Sequence, residues 1–194
     1  HGELLGDVSP HIVGRHKIQK AITTMAIAAD VGVKFEDTAI ELSELFGIGR
    51  SSEMKRTSDD PLVVDDYGHH PEEIKATLRA AKESFDRRIV VAFQPHRYTR
   101  SRDLMSAFGQ SFNQADLVLL TDVYAAGEEP IEGACAETMA TCIRDHGHHG
   151  VHYRGNLDEL LESLKGTLEP GDVLITLGAG AVYRGGGQIW ERSG

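Results

Sequence analysis

From residue 62 onward the chain alternates short apolar runs with longer amphipathic stretches, and that rhythm leaves few folds open. Leu62–Val64, Ile89–Phe93, Leu117–Thr121, Val151–Tyr153 and Val173–Leu177 read as strands. Pro71–Phe85, Arg100–Gln114, Ala136–Asp145 and Leu157–Lys165 read as the helices between them, the first opened by a proline at its first turn. Short apolar strands separated by helices indicate βαβ units, so the expected class is α/β with a mostly parallel sheet. The earlier part reads differently. Ile18–Val31 is an expected helix, with Ile18, Ile22, Met25, Ile27 and Ala29 on an apolar face and Gly32 closing it. A second runs from Glu36 to Phe46, with Ile40, Leu42, Leu45 and Phe46 inward, and ends at Gly47-Ile48-Gly49. Residues 1–14 could hold an edge strand and a turn. The polar stretch 50–60 reads as a linker or surface hairpin, which puts the domain boundary there.

The chain has 194 residues and a formal charge of -10, which argues against bulk binding to nucleic acid or to an anionic membrane. No stretch is apolar for long enough to span a bilayer. The first residues lack the basic start and apolar core of a signal peptide. The chain opens on His1 rather than methionine, which suggests a fragment. Cys135 and Cys142 are expected in one helix, two turns apart, too far along it to bridge. They read as small buried apolar residues and fit a reducing cytoplasm.

Three strand-to-helix junctions carry the polar chemistry: Asp65-Asp66-Tyr67-Gly68-His69-His70-Pro71, Gln94-Pro95-His96-Arg97-Tyr98-Thr99-Arg100, and Asp122-Val123-Tyr124-Ala125-Ala126-Gly127-Glu128-Glu129-Pro130. In an open parallel sheet, segments leaving the C-terminal strand ends share one edge, where ligands bind. At the first junction His70 stands at the cap position, where histidine serves poorly. The pair His69-His70 therefore points to a ligand, or else Asp65 or Asp66 caps the turn and both rings are solvated. At the second, His96, Arg97, Arg100 and Arg102 crowd a helix start, where cations oppose the helix dipole. A bound phosphate or carboxylate would reverse that sign and use the free N–H groups; a solvated basic face is the bland alternative. At the third, Asp122, Glu128 and Glu129 near Tyr124 could hold an ammonium group or form a plain surface loop.

Other signals are weaker. Gly178-Ala179-Gly180-Ala181-Val182-Tyr183 lacks the third glycine of a dinucleotide fingerprint and follows the last strand, so it reads as a turn. His146, His148, His149 and His152 could bind metal by composition but have no partnering cysteine, so no metal site is assigned. The G-x-x-x-x-G-K-[ST] phosphate loop does not occur in the chain.

Taken together and in order, the three junctions resemble the Mur ligases of peptidoglycan synthesis, over nearly the whole chain from Gly2 to Arg184. They are most similar to the branch that joins L-alanine to UDP-N-acetylmuramate; the sister branch that recycles murein tripeptide has phenylalanine and alanine where Tyr67 and Gly68 stand. Family enzymes have a UDP-binding domain, a central ATPase domain with the phosphate loop, and a Rossmann-like C-terminal domain. The resemblance implies that residues 1–54 are the helical end of the central domain and residues 55–194 the C-terminal domain. It implies a cytoplasmic, ATP-dependent, amide-forming ligase of cell-wall biogenesis acting through an acyl phosphate. Its partners would be UDP-N-acetylmuramate, L-alanine and ATP, and its cofactors ATP and magnesium, both held largely by the central domain. It implies that His69, His96, Arg97 and Arg100 hold the amino acid, the muramoyl carboxylate or the phosphoryl group. Asp66 and Tyr67 would lie by the nucleotide's ribose and base, with His16 and Arg50 as further nucleotide contacts. The fragment alone is expected to be inactive.

The early segment departs from the family pattern. Lys17 and Lys20 stand where the family has asparagine, and Ser51 where it has a second arginine. Asparagine both donates and accepts at an adenine edge, whereas lysine only donates. These departures favour a competing expectation, a non-catalytic module that holds a nucleotide or amino acid.

Overall fold

The computed structural model describes residues 15–47 and 61–182. The chain divides into two compact units, His1–Lys55 and Arg56–Gly194. The expected edge strand, the linker, and Arg50 and Ser51 lie outside the described residues.

The first unit shows two helices, α1 (Arg15–Asp30) and α2 (Phe35–Gly47). Gly32, at φ +85, ends α1 in the left-handed conformation that glycine adopts freely, and Val33 N–H closes on Ala28 O at 2.9 Å. Of Ile40, Leu42, Leu45 and Phe46, expected inward, Ile40 needs correction, and the side chains of the other three lie outside the described residues, as does that of Ile18. Ile22, Ile27 and Ile40 are 60%, 59% and 57% exposed. A pair of helices buries only the strip each turns to the other, here around Ala21 and Thr38. Ile22, Met25, Val33 and Phe35 line an apolar groove of about 290 Å³.

In the second unit β1 (Leu62–Asp66) leads to α3 (Pro71–Ser84), β2 (Ile89–Phe93), α4 (Tyr98–Asp103), α5 (Met105–Gly109) and β3 (Leu117–Leu120). Then follow α6 (Ala136–Asp145), β4 (Val151–Tyr153), α7 (Leu157–Thr167) and β5 (Val173–Leu177). The strands form one five-stranded sheet in the order β1-β5-β2-β3-β4. Every pairing is parallel. The last strand thus fills the slot between the first two. Asp66 lies in register with Leu177, and Leu177 with Phe93, so β1, β5 and β2 end level.

Both faces of the sheet are covered, which is why the strands read as apolar runs without alternation. Val91, Phe93, Ile175 and Leu177 pack against Ile74, Leu78, Phe108, Phe112, Met139 and Ile143 on one side. Val90, Ala92, Leu119 and Leu174 meet Leu160, Leu161 and Leu164 of α7 on the other. The Phe93 ring touches those of Phe108 and Phe112, with centroids 5.8 and 5.2 Å away. Among the described residues no helix is long and apolar enough to cross a membrane.

Two expectations fail locally. The helix expected over Arg100–Gln114 is two short ones, broken at Leu104 and ended at Gly109. A side chain at Gly109 would place its Cβ 2.5 Å from His146 Nδ1, so α6 approaches there too closely for anything larger. Cys135 is not buried in the helix. It is exposed at the cap of α6, its sulfur accepting from Thr138 N–H at 3.5 Å.

Phe112 is fully buried. Phe112→Ala is expected to destabilise the second unit by about 3–5 kcal/mol in urea unfolding; a loss under about 1 kcal/mol would place the ring outside the core.

Candidate active site

The three junctions do converge, on a ladder of rings. Tyr67 sets its ring edge on His69 at 5.3 Å between centroids. His69 lies 5.6 Å from His96, and His96 stacks on Tyr124 at 5.5 Å with an interplanar angle of 20°. Each junction contributes at least one ring. Backbone bonds set the spacing: Tyr124 N–H donates to Pro95 O at 2.8 Å and Arg97 N–H to Tyr124 O at 2.9 Å. His96 and Tyr124 thereby continue the parallel pairing past the strand ends.

The hydrogen bonds assign the tautomers of both histidines. Tyr67 O can only accept, so His69 Nδ1, 3.0 Å away, carries a proton, and in the neutral ring the lone pair is on Nε2. The Arg100 guanidinium can only donate, so His96 Nδ1, 3.3 Å away, carries the lone pair and its proton sits on Nε2. His96 is held below the ordinary histidine value, chiefly by burial, then by the charges of Arg100, His69 and Arg97, with Glu128 opposing. Protonating Nδ1 would also break the Arg100 bond.

Four of the acidic groups are already engaged, while Glu129 is exposed. Asp66 accepts from Gly68 N–H and from the Thr77 hydroxyl, both at 2.9 Å, tying the first junction to α3. Asp65 accepts the Thr176 hydroxyl. Asp122 accepts the Tyr153 hydroxyl, a bond that with burial pushes the phenol up to about 12. Glu128 accepts from Thr99 N–H at 3.0 Å and from the Thr99 hydroxyl at 2.7 Å. Those two bonds, in that order, hold its carboxyl below the usual carboxylate range.

Two readings of the residues change accordingly. The start of α4 does not offer all its N–H groups to a ligand, because Glu128 takes that of Thr99. Of its cations, Arg102 pairs with Asp103 at 2.7 Å while Arg100 turns to His96. His70 does cap α3: Nδ1 accepts from Glu72 N–H at 3.4 Å, and Glu73 Oε2 answers on His69 N–H and His70 N–H at 3.3 Å each. The two histidines therefore differ, one a cap and the other a rung of the ladder.

Of the expected site residues, His69, His96 and Arg100 come together with Tyr67, and Asp66 supports their turn. Arg97 stands half-exposed with Nη1 3.9 Å from Glu128. His16 falls on α1 of the first unit, and its side chain lies outside the described residues, as does Arg50. The late histidines separate: His148 is buried with Nε2 2.9 Å from Ala115 O, and His146 bonds Cys142 O at 2.8 Å. Among the described residues no group of three or more His, Cys, Asp or Glu side chains could hold a metal ion.

Gln94 is the residue the sequence does not single out. Its side-chain oxygen accepts from Ala181 N–H at 2.8 Å, and its N–H donates to Leu177 O at 3.0 Å. A Cβ on Gly178 would lie 2.6 Å from Gln94 O, and one on Gly180 2.2 Å from its side-chain oxygen. The glycines after β5 thus serve close packing on Gln94, two residues before His96.

Residues 49–180 match the family model described as Mur ligase, glutamate ligase domain. The chain belongs to the Mur ligase family. It is 44% identical over 191 residues to the UDP-N-acetylmuramate–L-alanine ligase of Geotalea uraniireducens, covering 98% of this chain and 42% of that protein. It is 46% identical over 189 residues to the ligase of the same name from Solibacter usitatus, covering 97% and 40%. The chain therefore spans about two fifths of the length of the curated relatives it matches. Among solved structures it resembles the UDP-N-acetylmuramate-alanine ligase of Thermotoga maritima, with a TM-score of 0.70 and 25% identity over 96% of this chain and 39% of that one. The murein peptide ligase of Psychrobacter arcticus follows at a TM-score of 0.66 and 25% identity, covering 95% and 38%. The second unit has the Rossmann-like fold of a Mur ligase C-terminal domain.

The ring ladder has a measurable pH signature. His96 is expected to titrate below 6.5. The folded state then binds fewer protons than the unfolded chain, so stability declines as pH falls from 6.5 through the folded His96 value. Ring-proton NMR, assigned with His96→Gln, measures the midpoint, and a value at or above the ordinary one contradicts the geometry. Separately, Gly178→Ala meets both a φ of +141 and the Gln94 carbonyl. It is expected to cost about 1–3 kcal/mol or more in thermal unfolding; a neutral result would refute the close approach.

Proposed function

We propose that this chain is the C-terminal part of a longer ligase that joins L-alanine to UDP-N-acetylmuramate with ATP in peptidoglycan synthesis, in the cytoplasm. Residues 1–54 are the end of its central ATP-binding domain and residues 55–194 its C-terminal domain. The observation that carries the reading is the convergence of three family motifs on one ring ladder flanked by guanidiniums. The exposed apolar side chains of α1 and α2 support the domain assignment, since they have the character of a face that more chain covers.

In this reaction a carboxylate becomes an acyl phosphate and an amine displaces the phosphate. Arg100 and Arg97 offset the negative charge of the carboxylate and phosphoryl groups. His69, with its lone pair on Nε2, accepts a proton from the incoming ammonium. His96, neutral with its proton on Nε2, donates a hydrogen bond to a substrate oxygen. Tyr67, 69% exposed, offers its face to the nucleotide base beside Asp66. His16 and Arg50 add nucleotide contacts from the first unit. ATP and magnesium are held mainly by the central domain of the longer protein, where the family's phosphate loop stands.

Lys17, Lys20 and Ser51 favour one other reading, a non-catalytic module that retains nucleotide or amino acid. Assay of the full gene product decides. It is expected to release phosphate from ATP only when UDP-N-acetylmuramate and L-alanine are both present, while the 194-residue chain alone is inactive. His96→Ala in the full product is expected to lower kcat/KM by about 10²-fold or more. A full product that binds nucleotide without turnover supports the module. One that prefers murein tripeptide over L-alanine belongs to the sister branch.

A further inference from the structure

α4 starts badly by its own resources. Arg97 stands at its cap with no side chain able to accept, and no cap bond from that residue exists. Its backbone sits at φ 71, in the left-handed region. The acceptor comes instead from the third junction. Ala126 and Gly127, at φ 52 and 85, form a tight turn closed by Glu128 N–H on Ala125 O at 3.1 Å. Positive φ at both central residues is the type I′ pattern, which a non-glycine residue at the first of them resists. That turn delivers Glu128 to Thr99, where both carboxylate oxygens are used. Arg97 and Ala126 are the only non-glycine residues at positive φ among the described residues, and they flank this one contact. Strained backbone persists only where its surroundings over-determine it, and it gathers at sites that need a set geometry.

We infer that Glu128 is a positioning residue: by clamping Thr99 with two hydrogen bonds it holds the Pro95–Tyr98 loop in its strained form, and so keeps His96 stacked on Tyr124, beside His69 and bonded to Arg100. The inference rests on the proposed function for its meaning in catalysis, but not for its geometry. Without the clamp the Tyr124 backbone bonds to Pro95 and Arg97 remain, but Arg97 is free to relax from φ 71 and the His96 ring turns from the stack toward solvent.

The ionisable groups facing His96 make the test discriminating. Arg100, His69 and Arg97 lower its titration midpoint, and Glu128 raises it. Removing Glu128 purely as a charge would therefore lower the midpoint further. Releasing the loop would instead raise it toward the solvent value, as burial and the Arg100 bond are lost. The test is ring-proton NMR titration of His96 in the ligand-free chain, in Glu128→Ala and in Glu128→Gln. The amide keeps an acceptor for Thr99 N–H and a donor for its hydroxyl. The expected result is a midpoint raised by about half a pH unit or more in Glu128→Ala and unchanged or lowered in Glu128→Gln. A midpoint unchanged or lowered in both variants overturns the proposal, leaving Glu128 a mere charge. A midpoint raised in both overturns the two-bond clamp. In the full gene product, Glu128→Ala is expected to lower kcat about tenfold or more, with Glu128→Gln recovering most of the loss. If that product has no ligase activity, the proposed function fails while the titration still decides the clamp.

Discussion

The candidate site depends on how closely the glycine turn after β5 approaches Gln94. Because β5 is inserted between β1 and β2, the first two junctions are not neighbours in the sheet; a third strand end stands between them. Gly178 and Gly180 let that intervening turn come within contact of Gln94 O and its amide oxygen, so it packs closely against the second junction. Gln94 then spends its side chain on Ala181 N–H, a bond that replaces water at a buried position. With β1, β5 and β2 ending level, His69 can reach His96 across the intervening strand.

The electrostatics follow from that packing. Two imidazoles a ring-width apart beside two guanidiniums cannot all be charged cheaply. The arrangement resolves this by tautomer. Arg100 donates to His96, which keeps His96 neutral, while the Tyr67 carbonyl orients His69 the opposite way. One ring then presents an acceptor and the other a donor on Nε2. Opposed tautomers of this kind would let one ring accept a proton while the other donates a hydrogen bond.

The sequence made the scaffold legible because both of its signals are local. Apolar runs of five residues and a helix opened by Pro71 need no tertiary knowledge, and the strand boundaries at Ile89–Phe93 and Val173–Leu177 match the expectation. What it concealed was non-local. Nothing near Gln94 announces that its partner is 87 residues later. His70 looked ill suited to cap a helix, yet Glu73 completes the box and makes it serve. The start of α4 looked like an empty anion site because the carboxylate filling it comes from 29 residues away. In the first unit the apolar periodicity was read correctly as pattern and wrongly as burial, since periodicity shows which face is apolar and not what covers it.

The chain carries -10, yet four carboxylates of the edge bearing the ladder, Asp65, Asp66, Asp122 and Glu128, are committed to its own backbone and hydroxyls. Asp66 braces the first turn, Glu128 caps the second, and Asp122 ties the third to Tyr153. A carboxylate that accepts two hydrogen bonds is a weaker ligand for a passing ammonium, and its charge is partly spent on the donors it holds. Arg97 and Arg100 meet no such full neutralisation: the nearest carboxylate to Arg97 is 3.9 Å away and Arg100 is bonded to a neutral imidazole and a carbonyl. The acids of this edge therefore act as its frame, fixing turns and hydroxyls, while Arg97 and Arg100 keep donors that an anionic group can reach.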